Sequence, residues 1–344
     1  MISHQRDPMV AGSSRDGFII IAVLWMLIAL ATLASIYSVY IANTAMALAV
    51  SDDSLQAELL VTTSLELTAY RFSSTKDAQN PQGPGGLGAP GVPGIPGGVR
   101  KTQPSRGGFS FRAGAASVGV TFISEAARID LNEAPMPMLA GLFAAFGVKS
   151  EDAVEFANRI VGWRDPPKEG APKEGGPKEN AASEEELYRS VGLRYPPRGG
   201  PFPHVDELRL VYGLPPALID RIMPFVTVYS GLPKVNVLDA APEVIAALPG
   251  MTPGVLNAFL DKREAGPVDE QSLPRLLGPS QEGATIEPSP AYRVQVRIVF
   301  DNGRQVESEA VILTGTTEAP YHVLYWRDDA SNGPGQLRTG MRLR

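Results

Sequence analysis

The side chains able to do chemistry are few and scattered. His4, His204 and His322 are the three histidines, each isolated in sequence, and there is no cysteine. Without cysteine there is no thiolate nucleophile, no disulfide and no thiolate metal site; an oxidising compartment is permitted but not signalled. There is no Gly-x-Ser-x-Gly elbow, no phosphate-cradling P-loop and no His-Glu-x-x-His pair. The adjacent carboxylates Asp206 and Glu207 fall where a helix begins, and the partial positive charge of a helix end accounts for them without catalysis. No acid, base and nucleophile come together in this pattern, so the chain reads as a non-enzyme.

The 344 residues are 44% hydrophobic and 20% charged, ample for one or two packed cores. The net charge of -6 argues against broad nucleic-acid binding. The chain is organised around an uncharged run from Gly17 to Ser51. At about 1.5 Å rise per residue such a helix is roughly 50 Å long, more than the roughly 30 Å hydrocarbon core it would cross. Arg6 and Arg15 precede the run, and since acidic residues count little in the positive-inside rule, the leader reads as cytoplasmic and the body as exported. After Asp53 the spacing of Leu55, Leu59, Leu60, Leu65 and Phe72 keeps a helical period among charged residues, predicting that the helix continues and lies on a domain.

Residues 81–108 are rich in Pro and Gly and predict a flexible, partly extended loop. Alternation predicts strands within 109–124 and again from Tyr292 to Phe300 and Val306 to Leu313, joined by the hairpin turn Asp301-Asn302-Gly303, with a third strand near His322 to Arg327. Between them Arg128-Ile-Asp-Leu-Asn-Glu-Ala-Pro returns as Lys234-Val-Asn-Val-Leu-Asp-Ala-Ala-Pro, an internal repeat. In each copy Asn132 or Asp239 is suited to cap a helix that has Pro in its first turn, and a tight turn leads to a second helix. The run Pro167-Lys-Glu, Pro172-Lys-Glu, Pro177-Lys-Glu is of low complexity and charge-balanced, predicting disorder over 165–183.

Gly17 followed by Phe18, with Arg15 upstream, resembles a type IV pilin-like leader, in which a prepilin peptidase cuts after the Gly and the new amino terminus is methylated. A permanent signal anchor is the plainer alternative; a cleavable secretory signal does not suit so long a run with the Gly before it. The fifth residue after such a cut is usually Glu in that family. Here it is Ala22, and the run Ala22-Val23-Leu24-Trp25 is similar to the K subunit of type II secretion. The order of leader, long helix, strands, Ile129-Asp-Leu-Asn, Trp163-Arg-Asp, Val205-Asp-Glu-Leu-Arg, Val235-Asn-Val and Leu248-Pro-Gly-Met resembles the K-class minor pseudopilin over nearly the whole mature chain.

The resemblance implies an α+β fold: a pilin-like long N-terminal helix plus an antiparallel sheet, interrupted by a large inserted all-α domain with helix-hairpin-helix-like repeats. The expected division is a leader 1–17, a transmembrane and amphipathic helix 18–80, a loop 81–108, pilin strands 109–127, the insertion 128–285, and strands with a tail 286–344. It further implies a single pass of the inner membrane with a periplasmic body, and a place at the pseudopilus tip beside the minor pseudopilins I and J and other pseudopilins, supporting export of substrates. The family's Ca²⁺ ligands carry over to Asp165 and Glu184, with Tyr188 downstream. Two carboxylates are few for Ca²⁺, and they read equally well as a solvated acidic helix start. Lys234 to Arg263 also looks like a helix-hairpin-helix of a membrane-tethered DNA-uptake protein. Thr252 replaces the second turn Gly, however, and Pro253 removes an amide, so protein rather than nucleic acid is the expected partner.

Overall fold

The computed structural model describes residues 16–77, 104–165, 180–315 and 319–329. In chain order the elements are α1 (Asp16–Asp77), β1 (Arg106–Ala113), β2 (Ala116–Ser124), β3 (Ile129–Asp130), α2 (Met136–Ala145), α3 (Ser150–Arg164), α4 (Asn180–Ser190), α5 (Pro216–Ile222), β4 (Val226–Thr227), β5 (Val235–Asn236), α6 (Pro242–Ala246), α7 (Pro253–Ala265), α8 (Leu273–Leu277), β6 (Ala284–Thr285), β7 (Ala291–Phe300), β8 (Gln305–Thr314) and β9 (Tyr321–Asp329). The described residues divide into two units, one up to Leu59 and one from Leu60 onward.

In the first unit, Ile20–Thr44 is a 25-residue stretch of mean hydropathy 2.4 with none of it buried against protein. Three of its hydroxyls bond its own backbone: Thr32 donates to the Ala29 carbonyl at 2.8 Å, Ser35 to that of Ala31 at 2.9 Å and Thr44 to that of Tyr40 at 2.9 Å. In lipid, where no water can take a stray donor, that self-satisfaction lets polar residues ride within an apolar helix.

In the second unit α1 is amphipathic. Leu60, Val61, Leu65, Ala69 and Phe72 are buried at helical spacing, while Leu67 and Tyr70 face outward. Buried Ser64 and Thr68 donate to carbonyls one turn back, at 2.6 and 2.7 Å. Phe72 stacks on Tyr292 at 4.2 Å between centroids and meets Phe122 edge-on at 5.0 Å, so the stripe lies on the sheet.

That sheet is antiparallel, in the order β1-β2-β7-β8-β9. Period-two alternation puts Val118, Val120 and Phe122 of β2, and Tyr292, Val294, Val296 and Ile298 of β7, on the buried face. On the other face Arg293, Gln295 and Arg297 stand opposite Val311, Glu309 and Glu307 of β8. Gly303, at φ 84°, supplies the left-handed residue of the β7–β8 hairpin.

The chain leaves this sheet after Ser124 and re-enters at Ala291, where Ser124 lies directly opposite Tyr292 in adjacent strands. Everything from 125 to 290 therefore hangs on the end of one strand pair. This segment holds α2 to α8 and is not purely helical: β3 pairs with β4 and β5 with β6, each in parallel over two residues. It has its own hydrophobic core, including Ile129, Met138, Phe143, Ile160, Ile245 and Phe259, with every buried member drawn from 129 to 284.

The two similar sequence runs carry the same hydrogen bonds. Asp130 accepts from the Asn132 amide at 2.9 Å, and Asn236 accepts from that of Leu238 at 3.0 Å. Arg164, at the end of α3, donates to the carbonyls of Leu131 and Ala134; Arg263, at the end of α7, donates to those of Val237 and Ala240. The Leu131 amide bonds Thr227 at 2.8 Å and that of Val237 bonds Thr285 at 3.0 Å, closing each copy with a parallel strand. Gly147 (φ 85°) and Gly250 (φ 75°) turn the chain between the two helices of each copy.

Asn132 and Asp239 do not cap those helices. The residues preceding α2 and α6 are Pro135 and Ala241, neither with a side-chain cap. Proline in the first turn leaves fewer amides to satisfy, which frees Asn132 to clamp Phe202 by donating to its carbonyl at 3.0 Å and accepting its amide at 2.7 Å. The segment expected to be disordered is helical from Asn180 on; its Pro-Lys-Glu run, at 166–179, lies outside the described residues, as do the leader 1–15 and most of the Pro/Gly loop. The 3-10 turn Val205–Leu210 stands where Asp206 and Glu207 were expected to begin a helix.

Candidate functional site at the root of the inserted segment

The feet of the inserted segment are tied by polar contacts. Ser124 accepts from the Ser289 amide at 2.9 Å and from that of Ala126 at 3.3 Å. Next along, Glu125 is wholly buried and holds three partners from three parts of the fold: Arg128 beside it (2.9 Å), Arg293 on β7 (2.8 Å) and the Thr227 hydroxyl on β4. Arg293 reaches on to Glu309 of β8 at 2.6 Å. A buried carboxylate without partners would be costly, so this chain of ions dictates one seating of the segment on the sheet. Burial pushes the Glu309 carboxyl up, but Arg293 and the Gln295 amide carry it below the ordinary carboxylate value. Burial likewise lowers the Arg128 guanidinium, opposed by Glu125.

Beside this network opens a cavity of about 330 Å³ walled by Arg128, His204, Tyr229, Arg293, Tyr325 and Arg327, among others. His204 lies 5.3 Å from Tyr325 between ring centroids and accepts from the Asp206 amide at 3.2 Å. Glu207 does more than sit at a helix start. It takes both the Arg198 guanidinium and the Trp163 indole N–H, which brings it below the ordinary carboxylate value, chiefly through Arg198. His322 is on exposed β9, and neither it nor His204 has a nucleophile in contact among the described hydrogen bonds.

The two carboxylates assigned to a metal are placed apart in character. Asp165 ends α3 half-exposed, 3.3 Å from the Nε of Arg164. Glu184 on α4 is buried and takes Nη1 of Arg159 at 2.6 Å. Burial pushes its carboxyl up and Arg159 pulls it back, leaving it raised. Among the described residues no three His, Cys, Asp or Glu side chains gather as a metal would need. Gly17 and Phe18 lie in the first turns of α1.

The hairpin between α6 and α7 offers little to a phosphate. The Met251 amide is spent on Leu248, Val255 donates to the Thr252 hydroxyl at 3.4 Å, Leu256 donates to the Thr252 carbonyl, and Pro253 has no amide. Arg263 points inward to its two carbonyls.

Residues 121–231 match the family model described as "Type II secretion system (T2SS), protein K". That match takes in about a third of the chain. The match begins inside β2, passes through the Glu125 root, and ends just past Thr227 and Asp130's partner Ser230, so it covers the whole first copy of the repeated geometry. No curated protein matches the chain by sequence. Among solved structures, a chain of the GspK–GspI–GspJ complex from the type 2 secretion system of enterotoxigenic Escherichia coli aligns with TM-score 0.50 at 16% identity, covering 82% of this chain and 99% of that one. At that identity the likeness speaks for the fold alone: an N-terminal helix and antiparallel sheet with helices added, shared with a chain of that complex.

The root network is not legible in the sequence. Glu125 and Arg293 are 168 positions apart, and only the strand pairing of β2 with β7 brings them together.

Proposed function

We propose that the protein is a minor pseudopilin that forms or caps the tip of a type II secretion pseudopilus and supports protein export across the outer membrane. The observation that carries this reading is the protein K signature lying on the segment that interrupts a helix-on-sheet fold. α1 would anchor the subunit in the inner membrane by a single pass, with the body in the periplasm. A prepilin peptidase would cut between Gly17 and Phe18. Pseudopilins of the I and J classes are the partners, through the apolar helix and the sheet; exported substrates would meet the inserted helical repeats, whose hairpins serve as structure and not as nucleic-acid clamps.

Ala22 supports a terminal position. In the resembling family the Glu at this place neutralises the amine of a neighbouring subunit within the apolar bundle, where an unpaired charge is costly. Ala22 cannot do that, and a subunit with no neighbour beyond it need not. Quantitative mass spectrometry of isolated pseudopili, with gold labelling of the inserted segment, tests the reading. One or a few copies at one end, beginning at methylated Phe18, is the expected result. Many copies along the shaft, or an intact Met1 in the assembled fraction, would refute it.

A further inference from the structure

Calcium is the cation that the K-class resemblance brings to Asp165 and Glu184, and the residues present do not fit it. Ca²⁺ takes six to eight oxygen ligands. The Asp165 carboxylate lies half-exposed against Arg164, and the Tyr188 hydroxyl accepts the Tyr212 amide at 2.8 Å. Glu184 faces a cation already: Arg159 holds Oε1 through Nη1 at 2.6 Å and holds Glu155, one turn earlier on its own helix, through Nη2 at 3.0 Å. The stem of Glu184 is wedged against bare backbone on α3, since a Cβ added to Gly162 would stand 2.6 Å from its Cγ. One buried oxygen, Oε2 of Glu184, is left without a partner, far short of a calcium donor set. The intervening sequence adds no net negative charge, because Glu169, Glu174 and Glu179 each follow a lysine.

We infer that Arg159 is this protein's built-in substitute for a metal ion: its guanidinium pins α4 to α3 through Glu184, so that the inserted segment folds and holds its shape without Ca²⁺. A guanidinium suits the place, being charged at every accessible pH and able to serve two carboxylates at once. The inference is independent of where the subunit sits in a filament.

The full chain in detergent tests it by thermal unfolding and by equilibrium dialysis with ⁴⁵Ca²⁺. The melting temperature is expected to be the same in EDTA and in about 1 mM CaCl₂, with no stoichiometric binding. Arg159→Gln strands Glu184 and should lower the melting temperature, and the double variant Arg159→Gln/Glu184→Gln should recover part of that loss. A calcium-dependent rise of about 3 °C or more in the unaltered protein would overturn the inference. So would stoichiometric ⁴⁵Ca²⁺ binding, or an Arg159→Gln protein as stable as the parent. Should Arg159→Gln fail to fold, the two calcium measurements on the parent chain still decide.

Discussion

Glu309 lies at the outer end of the ion chain at the root, where one short contact to Arg293 joins it to buried Glu125. Its carboxyl is more acidic when folded than the ordinary 4.5, so the folded state favours the ionised form. A depressed carboxyl contributes stability that is present above its unfolded pKa and lost as pH falls through the folded value. The protein is therefore expected to lose stability as pH drops below about 4.5, through protonation of Glu309 and of Glu207, which is depressed in the same direction. Glu309→Gln keeps the shape and an acceptor for Gln295 while removing the charge. It should lower stability at pH 7 by about 1–3 kcal/mol and flatten the acid limb of the denaturant midpoint against pH. An acid limb as steep in the variant as in the parent would refute Glu309's part. Tyr292, nearby on the buried face, differs in kind: its hydroxyl has no partner, and burial together with the Asp239 charge raises its pKa, so it takes no part in this titration.

Among the elements, each strand–helix–helix copy is closed by one arginine. Arg164 and Arg263 end the second helices of their copies and return to carbonyls at the start. Removing either leaves two backbone acceptors facing the space a guanidinium filled; both bonds come from one nitrogen, Nη1, which stands farther from the backbone than a lysine ammonium reaches. Arg263→Ala should cost about 1–3 kcal/mol, with Arg263→Lys recovering less than half, read from denaturant midpoints with near-UV circular dichroism. Full recovery by lysine would mean that charge and not the reach of the longer side chain matters. The recurrence of these copies was legible in the sequence, since Ile129-Asp-Leu and Val235-Asn-Val share spacing and residue type. The closing arginines were not, because they lie 33 and 26 positions from Leu131 and Val237, with helices of unequal neighbours between them. The same distance in sequence hid the seating of α2 against α6. An added Cβ on Gly141 would stand 2.2 Å from the Ala247 carbonyl oxygen, so the glycine is required by a contact and not by its own helix. Strand alternation and the apolar stripe of α1 are short-range signals, which is why they were readable and the ties between copies were not.

For the molecule as a whole, two features bear on its expected place at a filament end: the segment hung on the end of the β2–β7 strand pair and the absence of a carboxylate at Ala22. They are physically separable. The segment's buried core is drawn from 129 to 284 alone, while the sheet's core comes from α1, β2, β7 and β8, and the two meet at a root where Ser124 faces Tyr292. Facing residues in adjacent antiparallel strands can be joined by two residues, so replacing 125–291 by Asn-Gly should leave a continuous β2–β7 hairpin. The cost is concentrated at the root: Arg293 loses Glu125 but keeps Glu309, and Tyr292 loses the Asp239 side. The shortened chain is therefore expected to insert in the membrane through Ile20–Thr44, to keep a sheet spectrum and to unfold cooperatively at a lower temperature than the parent. If the segment is what obstructs stacking, the shortened chain with Ala22 changed to Glu should enter pseudopilus shafts in many copies, whereas either change alone should not. Quantitative mass spectrometry of sheared pseudopili from cells carrying each of the three variants reads the outcome. Shaft incorporation by Ala22→Glu alone would assign the end position to the missing charge and leave the segment free for contact with exported protein; an unfolded short chain would show that the sheet cannot do without its root.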